Sequence, residues 1–400
     1  MIEAIFFSFF IYLAYFNLHY LILDTLFGCT AITLFLSQKK EVNFWAGFFT
    51  GIFWFYWIAL SFRYYDLGYL IPIIVVIIAI VYAIFFLLLS LPKEPFLRAS
   101  LLLVASYIHP FKFSWFKPEL LFVDSYLGVS KIDFAIIVYT ISLSLFLYKK
   151  DKKIISIASL TLLILAFNQT TQIKGKIPDI SLYDQKLPQD KKWLPRYQNI
   201  IVQKDFNAIK AAISEHKKMI ILNESAFPLC LNKHRELLKK LKNLSQKIVI
   251  VTGALRCTQD GYFNSTYYFI NGDIKTADKV VLVPFGEEIP LPKFLADFIN
   301  KIFFDGAEDF KTAKSPTKIK IGGRYYTNAI CYEATEDIIY KNHPKYIIAI
   351  SNNAWFTPSI EPTLQHLLLK YYSKIYGTTI LHAANMGISG AIRGQELKIY

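Results

Sequence analysis

The sequence predicts two domains of different fold class, a polytopic α-helical membrane domain followed by an α/β domain. Its 400 residues are 54% hydrophobic and 16% aromatic, which is more apolar than a soluble domain requires. The excess lies in residues 1–168, where charges occur almost only in short gaps between apolar runs. Beyond them, strand-like and helix-like patterns alternate. We predict a membrane domain at 1–168, a linker and domain entry at 169–190, and an α/β domain at 177–400.

The membrane domain is expected to be multi-pass, with about seven transmembrane helices. The start of the chain has no basic region and no small-residue cleavage site, so the first apolar segment is expected to be retained. Asp24 falls inside the second segment, where a hydrated or paired group near a helix end is favoured over a functional one. The segments lie at about 5–16, 19–36, 44–61, 70–91, 101–116, 132–147 and 154–167.

Basic residues between the segments predict the orientation of the chain. Because cytoplasmic loops are enriched in lysine and arginine, three alternate gaps are assigned to the cytoplasm. The last span then places everything after residue 168 on the opposite side of the membrane. The three gaps contain Lys39 with Lys40, Lys93 with Arg98, and the run KKDKK at 149–153.

Charge and cysteine content exclude several classes of function for the second domain. Residues 169–400 hold 32 Lys and Arg against 21 Asp and Glu, a surplus attracted to anionic lipid head groups. The lysines are scattered and no nucleic-acid motif occurs, so we predict no nucleic-acid partner. Four cysteines without metal-ligand spacing predict no metal and no cofactor. Cys230 and Cys257 can pair outside the cytoplasm or remain buried thiols.

The second domain alternates strand-like runs with helical ones, which predicts sheets covered by helices. The strand-like runs are KKMIILNESA, QKIVIVTGAL, STYYFING, DKVVLVPFGE, GRYYTNAICYE and KYIIAISNNAWF. The helical runs are DFNAIKAAISEHK, RELLKKLKNLS and TLQHLLLKYYSKIY.

Three reactive side chains stand at strand boundaries, where α/β folds collect their active sites. Glu224 follows MIILN, Lys279 precedes VVLVP, and Cys331 follows TNAI. Together they suit acyl transfer, because the carboxylate can take the thiol proton and the ammonium can stabilise the thiolate and the oxyanion. Singly, each has an ordinary alternative: a core thiol, a solvated lysine, a helix-capping acid. Glu287 and Glu333 either orient Lys279 or balance charge.

The motifs around these residues resemble the nitrilase, or carbon-nitrogen hydrolase, superfamily, and within it the apolipoprotein N-acyltransferases. The resemblance covers nearly the whole chain, including GFFTGIFWFYWIALS in the third span and LPQDKKW at the start of the second domain. The motifs, in chain order, are NESAFP at 223–228, KVVLVPFGEEIPL at 279–291, ICYE at 330–333, SNNAWF at 351–356 and AANMGISG at 383–390.

The resemblance implies a nitrilase-type α-β-β-α sandwich and assigns roles to seven residues. The implied reaction has two steps: a cysteine takes an acyl chain from a phospholipid as a thioester, and the α-amino group of a diacylglyceryl-cysteine lipoprotein then accepts it. The assigned residues are the catalytic triad Glu224, Lys279 and Cys331, the supporting acids Glu287 and Glu333, the pocket-shaping Tyr332, and Asn264 on a neighbouring strand.

The resemblance also implies a place in the cell and two alternatives. The expected protein is a monomer in a bacterial inner membrane, with its catalytic domain on the periplasmic side. Asn223 replaces a common proline and Asn353 replaces a usual aspartate. The carboxyl end is expected to lack the closing strands and final membrane span of the family, either because this lineage has lost them or because the chain is truncated. The alternatives are a membrane-tethered amidase, in which water resolves the acyl-enzyme, and an inactive membrane protein with a decayed nitrilase domain.

Overall fold

A computed structural model describes residues 1–168, 177, 179–284, 286–288, 310–394 and 396–398. The chain forms two compact units, Met1–Thr171 and Gln172–Tyr400. The predicted linker at 169–190 lies partly outside the described residues, and residues 180–183 within it form a strand of the second unit.

The first unit is helical and apolar, as predicted. Among the residues that the structure describes, three helices are long and apolar enough to cross a membrane: Lys40–Tyr65, Gly68–Leu89 and Lys131–Lys149, the first two counted with their 3₁₀ turns. The α-helices are α1 (Ile2–Tyr15), α2 (Leu21–Ser37), α3 (Lys40–Phe55), α4 (Ile71–Leu89), α5 (Pro95–Ala105), α6 (Lys131–Lys149) and α7 (Lys153–Ser159), and a 3₁₀ helix continues α7 to Ala166.

The fifth apolar segment was predicted at 101–116, and these bounds are wrong. Helix α5 begins at Pro95 and ends at Ala105. His109 is extended, as a residue before proline tends to be, and Phe111 has a left-handed backbone, so the helix does not continue. Arg98 was assigned to a gap but lies within α5, where its guanidinium donates to Phe35 O at 3.2 Å and thereby satisfies a carbonyl near the end of α2.

The second unit contains two sheets, each with six strands among the described residues. In the first, the order is β1-β2-β4-β5-β6 with β3 also paired to β4; in the second, it is β12-β11-β10-β9-β8-β7. The strands are β1 (Ile180–Tyr183), β2 (Met219–Leu222), β3 (Phe227–Cys230), β4 (Val249–Thr258), β5 (Gly261–Ile270), β6 (Asp273–Asp278), β7 (Lys318–Ile321), β8 (Arg324–Ile330), β9 (Tyr346–Asn352), β10 (Thr379–Asn385), β11 (Gly390–Arg393) and β12 (Glu396–Lys398).

The two sheets pack face to face, and helices cover their outer faces. Alternation along β2 shows this arrangement: Met219 and Ile221 join a core cluster with residues of the second sheet, whereas Ile220 and Leu222 face the helices. The predicted α-β-β-α sandwich is therefore confirmed. The helices are α8 (Gln189–Lys192), α9 (Pro195–Ser214) and α10 (Arg235–Leu244) with the first sheet, and α11 (Asp337–Tyr340) and α12 (Glu361–Tyr376) with the second.

One predicted strand is wrong. The run after Asp278 was expected to continue in a strand through VVLVP, but β6 ends at Asp278 and residues 279–283 form a loop. The amides of Val280 and Val281 donate to the carboxylate of Glu333 rather than to a neighbouring strand. The buried carboxylate of Glu333 thus accepts the hydrogen bonds that a neighbouring strand would otherwise accept from Val280 and Val281.

Candidate active site

Cys331 lies where β8 leaves the second sheet and a 3₁₀ helix, Cys331–Thr335, begins. Its backbone is left-handed, with φ of +55°, which is uncommon for a residue that carries a Cβ. Backbone strain of this kind costs about 1–3 kcal/mol and is concentrated at functional sites. The turn brings the thiol out of the strand line, and Tyr332 beside it is buried.

Glu224 lies two residues after β2, at the corresponding edge of the first sheet. Ser225 next to it also has a left-handed backbone, with φ of +48°. The turn approaches β4 closely at Gly253, where an added Cβ would lie 2.7 Å from Glu224 Cα. Glycine is therefore required at position 253 to hold Glu224 against the sheet.

Asn264 joins two of the candidate acids. From the middle of β5 its side-chain nitrogen donates to Glu224 Oε1 at 2.7 Å and to Glu287 Oε1 at 3.2 Å. The other oxygen of Glu287 accepts from Lys279 Nζ at 2.6 Å. The amide thus holds two carboxylates in place, and the lysine ammonium is paired with one of them.

Lys279 is fully buried directly after β6, and its backbone is fixed on both sides. Its N–H donates to Asn264 O and its carbonyl accepts from Ala313 N, each at 2.9 Å. Burial lowers the pKa of this ammonium, but the charges of Glu287, Glu224 and Cys331 outweigh burial and raise it above the ordinary lysine value. Lys279 therefore remains charged at neutral pH.

Glu333 connects the lysine and cysteine loops. Its carboxylate accepts from Val280 N at 2.7 Å and Val281 N at 3.2 Å, and from Ile330 N at 2.7 Å. Burial raises the pKa of Glu333 to about 7, opposed by these three amides and by Lys279. Of the two possibilities left by the sequence, the structure favours a positioning role, exerted on the backbone that carries Lys279 and Cys331.

The thiol of Cys331 is protonated in the resting site. Burial raises its pKa well above the ordinary value, and the negative charge of Glu224 raises it further, whereas the positive charge of Lys279 lowers it. A base must therefore remove the proton during the reaction rather than before it. Hydrogen bonds join Glu224 to Lys279 through Asn264 and Glu287, and Glu333 connects the Lys279 loop to the residue before Cys331. The three candidates for acyl transfer therefore lie in one site.

Three residues of the site were not identified as candidates from the sequence. Lys192 is buried and its Nζ donates to the carbonyl of Glu224 at 2.9 Å. Glu361 is buried, and burial raises its pKa to about 8. Asn353 donates to both oxygens of Glu361, at 3.0 and 2.8 Å, which an aspartate at this position could not do. The motif LPQDKKW was the available signal for Lys192, but consecutive lysines indicate a solvated surface.

The fold defines a class of protein in which a helical membrane domain is joined to an α-β-β-α sandwich domain. Residues 1–168 match the family model described as the apolipoprotein N-acyltransferase integral membrane domain. The chain is 44% identical over 393 residues to the apolipoprotein N-acyltransferase of Wolinella succinogenes, covering 97% of this chain and 94% of the relative. It is 39% identical to that of Helicobacter pylori, covering 92% and 87%.

The chain therefore belongs to the apolipoprotein N-acyltransferase family, and it is a membrane-bound acyltransferase. Among solved structures, a CN-hydrolase superfamily protein from Xanthomonas campestris matches with a TM-score of 0.37 and 13% identity, over 55% of this chain and 78% of that one. An amidase from a Nesterenkonia species matches with a TM-score of 0.37 and 14% identity, over 54% and 78%.

Proposed function

We propose that this enzyme transfers an acyl chain from a membrane phospholipid, through a thioester on Cys331, to the α-amino group of the diacylglyceryl-cysteine at the start of a lipoprotein. The observation that carries the proposal is the set of hydrogen bonds that joins Glu224, Asn264, Glu287 and Lys279, together with Glu333, which connects the loop after Lys279 to the residue before Cys331. The names of the relatives indicate the class of acceptor, which is an apolipoprotein. The apolar helices place the enzyme in the bilayer that contains the phospholipid donor.

In the first step, the carboxylate of Glu224 takes the proton of the Cys331 thiol as the sulfur attacks the ester carbonyl of the phospholipid. The oxyanion that forms lies in the field of the Lys279 ammonium, which Glu287 and Asn264 hold in place. The carbon–oxygen bond then breaks, the protonated Glu224 returns its proton to the leaving oxygen, and lysophospholipid departs. The thioester remains on Cys331.

In the second step, the neutral α-amino group of the lipoprotein cysteine attacks the thioester carbonyl. Glu224 accepts a proton from that nitrogen, the carbon–sulfur bond breaks, and the protonated Glu224 returns the proton to the Cys331 sulfur. The products are an amide on the lipoprotein and the free thiol. The enzyme returns to its starting state without a cofactor.

The acceptor distinguishes this proposal from the amidase alternative. We propose incubating the purified full chain with phospholipid labelled in its sn-1 chain and a synthetic diacylglyceryl-cysteine peptide, and following the label by mass spectrometry. The expected result is labelled amide on the peptide, with lysophospholipid released. A peptide with an acetylated α-amino group is the matched control and is expected to remain unlabelled. Labelled free fatty acid with no labelled peptide supports a hydrolase instead, and no turnover supports the decayed domain.

Two observations support a periplasmic catalytic domain in a bacterial inner membrane. The KKDKK run at 149–153 precedes the last apolar helix, and basic loops favour the cytoplasm. Cys230 and Cys257 form a disulfide, with Cα atoms 5.5 Å apart, and disulfides are typical of oxidising compartments.

The orientation predicts the behaviour of a fused reporter. An alkaline phosphatase fused after residue 190 is expected to be active, because that enzyme matures only outside the cytoplasm. A fusion within the KKDKK run is the matched control and is expected to be inactive. An active fusion at 149–153 together with an inactive one at residue 190 would reverse the proposed orientation.

Lys279 has a proposed catalytic role and also forms an ion pair with Glu287, and replacing the two residues in turn distinguishes these roles. Lys279→Met is expected to slow thioester formation by about 10²–10³-fold, because the oxyanion loses its cation. It also leaves Glu287 without its ammonium partner and is expected to destabilise the fold by about 1–3 kcal/mol. Adding Glu287→Gln removes the unpaired carboxylate and is expected to restore part of the thermal stability but not the rate; the recovery is partial because the glutamine N–H₂ faces the N–H of Asn264 or of Val283. Recovery of the rate in the double variant would assign Lys279 a purely structural role.

A further inference from the structure

The site contains a second buried lysine that the proposed mechanism does not use. Lys192 ends the short helix α8 and is completely buried. Its Nζ donates to the carbonyl oxygen of Glu224 at 2.9 Å, and that oxygen also accepts from Asn223 Nδ2 at 2.9 Å. The ammonium is therefore in direct contact with the strained turn that carries the proposed base.

Helix α8 is fixed to the opposite sheet, so the position of Lys192 is determined by both halves of the sandwich. Gln189 accepts at its side-chain oxygen from Asn352 Nδ2 at 2.8 Å, and Asn352 in turn accepts from Asn385 Nδ2 at 2.8 Å. Asn385 also accepts from the backbone N–H of Leu187 at 2.9 Å. These hydrogen bonds hold the segment in the position that buries Lys192.

The two buried lysines differ in how their charges are balanced. Lys279 is paired with Glu287 at 2.6 Å, whereas Lys192 forms no ion pair with any residue that the structure describes. Asp205 is a nearby acid, but it accepts from Gln185 Nε2, and burial raises its pKa to about 8. No ion pair among the described residues therefore neutralises the positive charge of Lys192, which can act on the Glu224 turn.

We propose that Lys192 is a positioning residue of the acyl-transfer site. It holds the Glu224 turn through the backbone carbonyl and supplies the positive charge that balances the single negative charge shared by Glu224 and Cys331. That negative charge moves from carboxylate to sulfur when the thiol proton is transferred, and the ammonium of Lys192 stays fixed at the Glu224 turn throughout. The role of Lys192 in turnover rests on the proposed function, but the effect of Lys192 on the Cys331 thiol is present without substrate.

Lys192 carries its charge at neutral pH. Burial lowers its pKa to about 8, and the nearby acidic groups oppose that effect. Since the ammonium form is present below the pKa, the stabilisation of the thiolate is present at pH 7 and is lost as the pH rises through about 8. The groups whose charges act on it are Glu224, Asp205, Cys331 and Asp184.

The test compares Lys192→Gln with Lys192→Arg and with Lys191→Gln, which removes an exposed neighbouring lysine. Glutamine retains a donor for the Glu224 carbonyl but no charge, and arginine retains both. The readout is the rate at which iodoacetamide alkylates Cys331 in the full chain at pH 7, with Cys29 in the membrane unit as an internal reference. Thermal unfolding is measured for each variant.

We expect Lys192→Gln to slow alkylation of Cys331 by about tenfold, equivalent to one unit in the thiol pKa, and to slow thioester formation by at least as much. Lys191→Gln is expected to match the wild type, and Lys192→Arg is expected to regain most of the rate. Wild-type alkylation in Lys192→Gln overturns the inference. If alkylation slows but the wild-type enzyme forms no thioester, the proposed function fails and the electrostatic role of Lys192 stands.

Discussion

Cys331→Ala is expected to abolish acyl transfer, with a loss of at least about 10⁴-fold, because alanine has no thiol to carry the acyl chain. The fold should be unaffected: alanine has a Cβ like cysteine, so the left-handed backbone at this position is no more strained than before. The measurement is transfer of labelled acyl chain from phospholipid to the diacylglyceryl-cysteine peptide, together with thermal unfolding.

Cys29→Ala is the matched control for this prediction. Cys29 is the other free cysteine of the chain and lies in α2, within the membrane unit. Its replacement is expected to leave transfer at the wild-type rate, so any loss specific to position 331 reflects the proposed nucleophile. Substantial transfer by a well-folded Cys331→Ala enzyme would show that the acyl chain passes directly between the two substrates.

Glu224→Gln is expected to slow thioester formation by about 10²–10⁴-fold, the usual contribution of a general base. The amide oxygen of glutamine can still accept from Asn264 Nδ2, so the geometry around position 224 is retained. The thiol is protonated at rest, because burial and the charge of Glu224 raise its pKa, and without a base it attacks the ester slowly. The measurement is the single-turnover rate of acylation by labelled phospholipid.

Glu333→Gln is the comparison that identifies the base. Glu333 is two residues from the nucleophile, but its oxygens accept hydrogen bonds from three backbone N–H groups. These bonds hold the loop after Lys279 and the residue before Cys331. We expect Glu333→Gln to lower thermal stability, because the new amide N–H₂ group faces a backbone donor. If Glu224→Gln keeps the wild-type acylation rate while a folded Glu333→Gln enzyme loses it, the assignment of the base is wrong.

The sequence predicted the architecture because patterns of hydrophobicity encode it directly. Apolar runs interrupted by charge predict helices in a membrane, and a short continuous apolar run such as MIIL predicts a strand that is buried on both faces. The structure shows those faces in two cores, with Met219 and Ile221 in one and Ile220 and Leu222 in the other. The strand ends at Glu224 and Cys331 follow from the same patterns, and the motifs around them predicted the family that the comparisons then confirmed.

Pairwise contacts between distant segments were less predictable. Nothing local to Asn264 indicates that its amide bridges Glu224 and Glu287, since this depends on the packing of three segments. The strand expected in VVLVP was wrong because Glu333, more than 50 residues later in the chain, takes the amides that would have joined a sheet. Lys192 was overlooked because burial of a lysine requires the tertiary structure that anchors α8.

The central claim is that Cys331 carries the acyl chain, and trapping of the intermediate tests it most directly. The purified enzyme is incubated with phospholipid labelled in its sn-1 chain, without an acceptor, and the peptide containing Cys331 is analysed by mass spectrometry. We predict one acyl group on Cys331, removed by neutral hydroxylamine and transferred when the diacylglyceryl-cysteine peptide is added. An acyl group at any other residue, or none on an enzyme that completes the full reaction, would contradict the account.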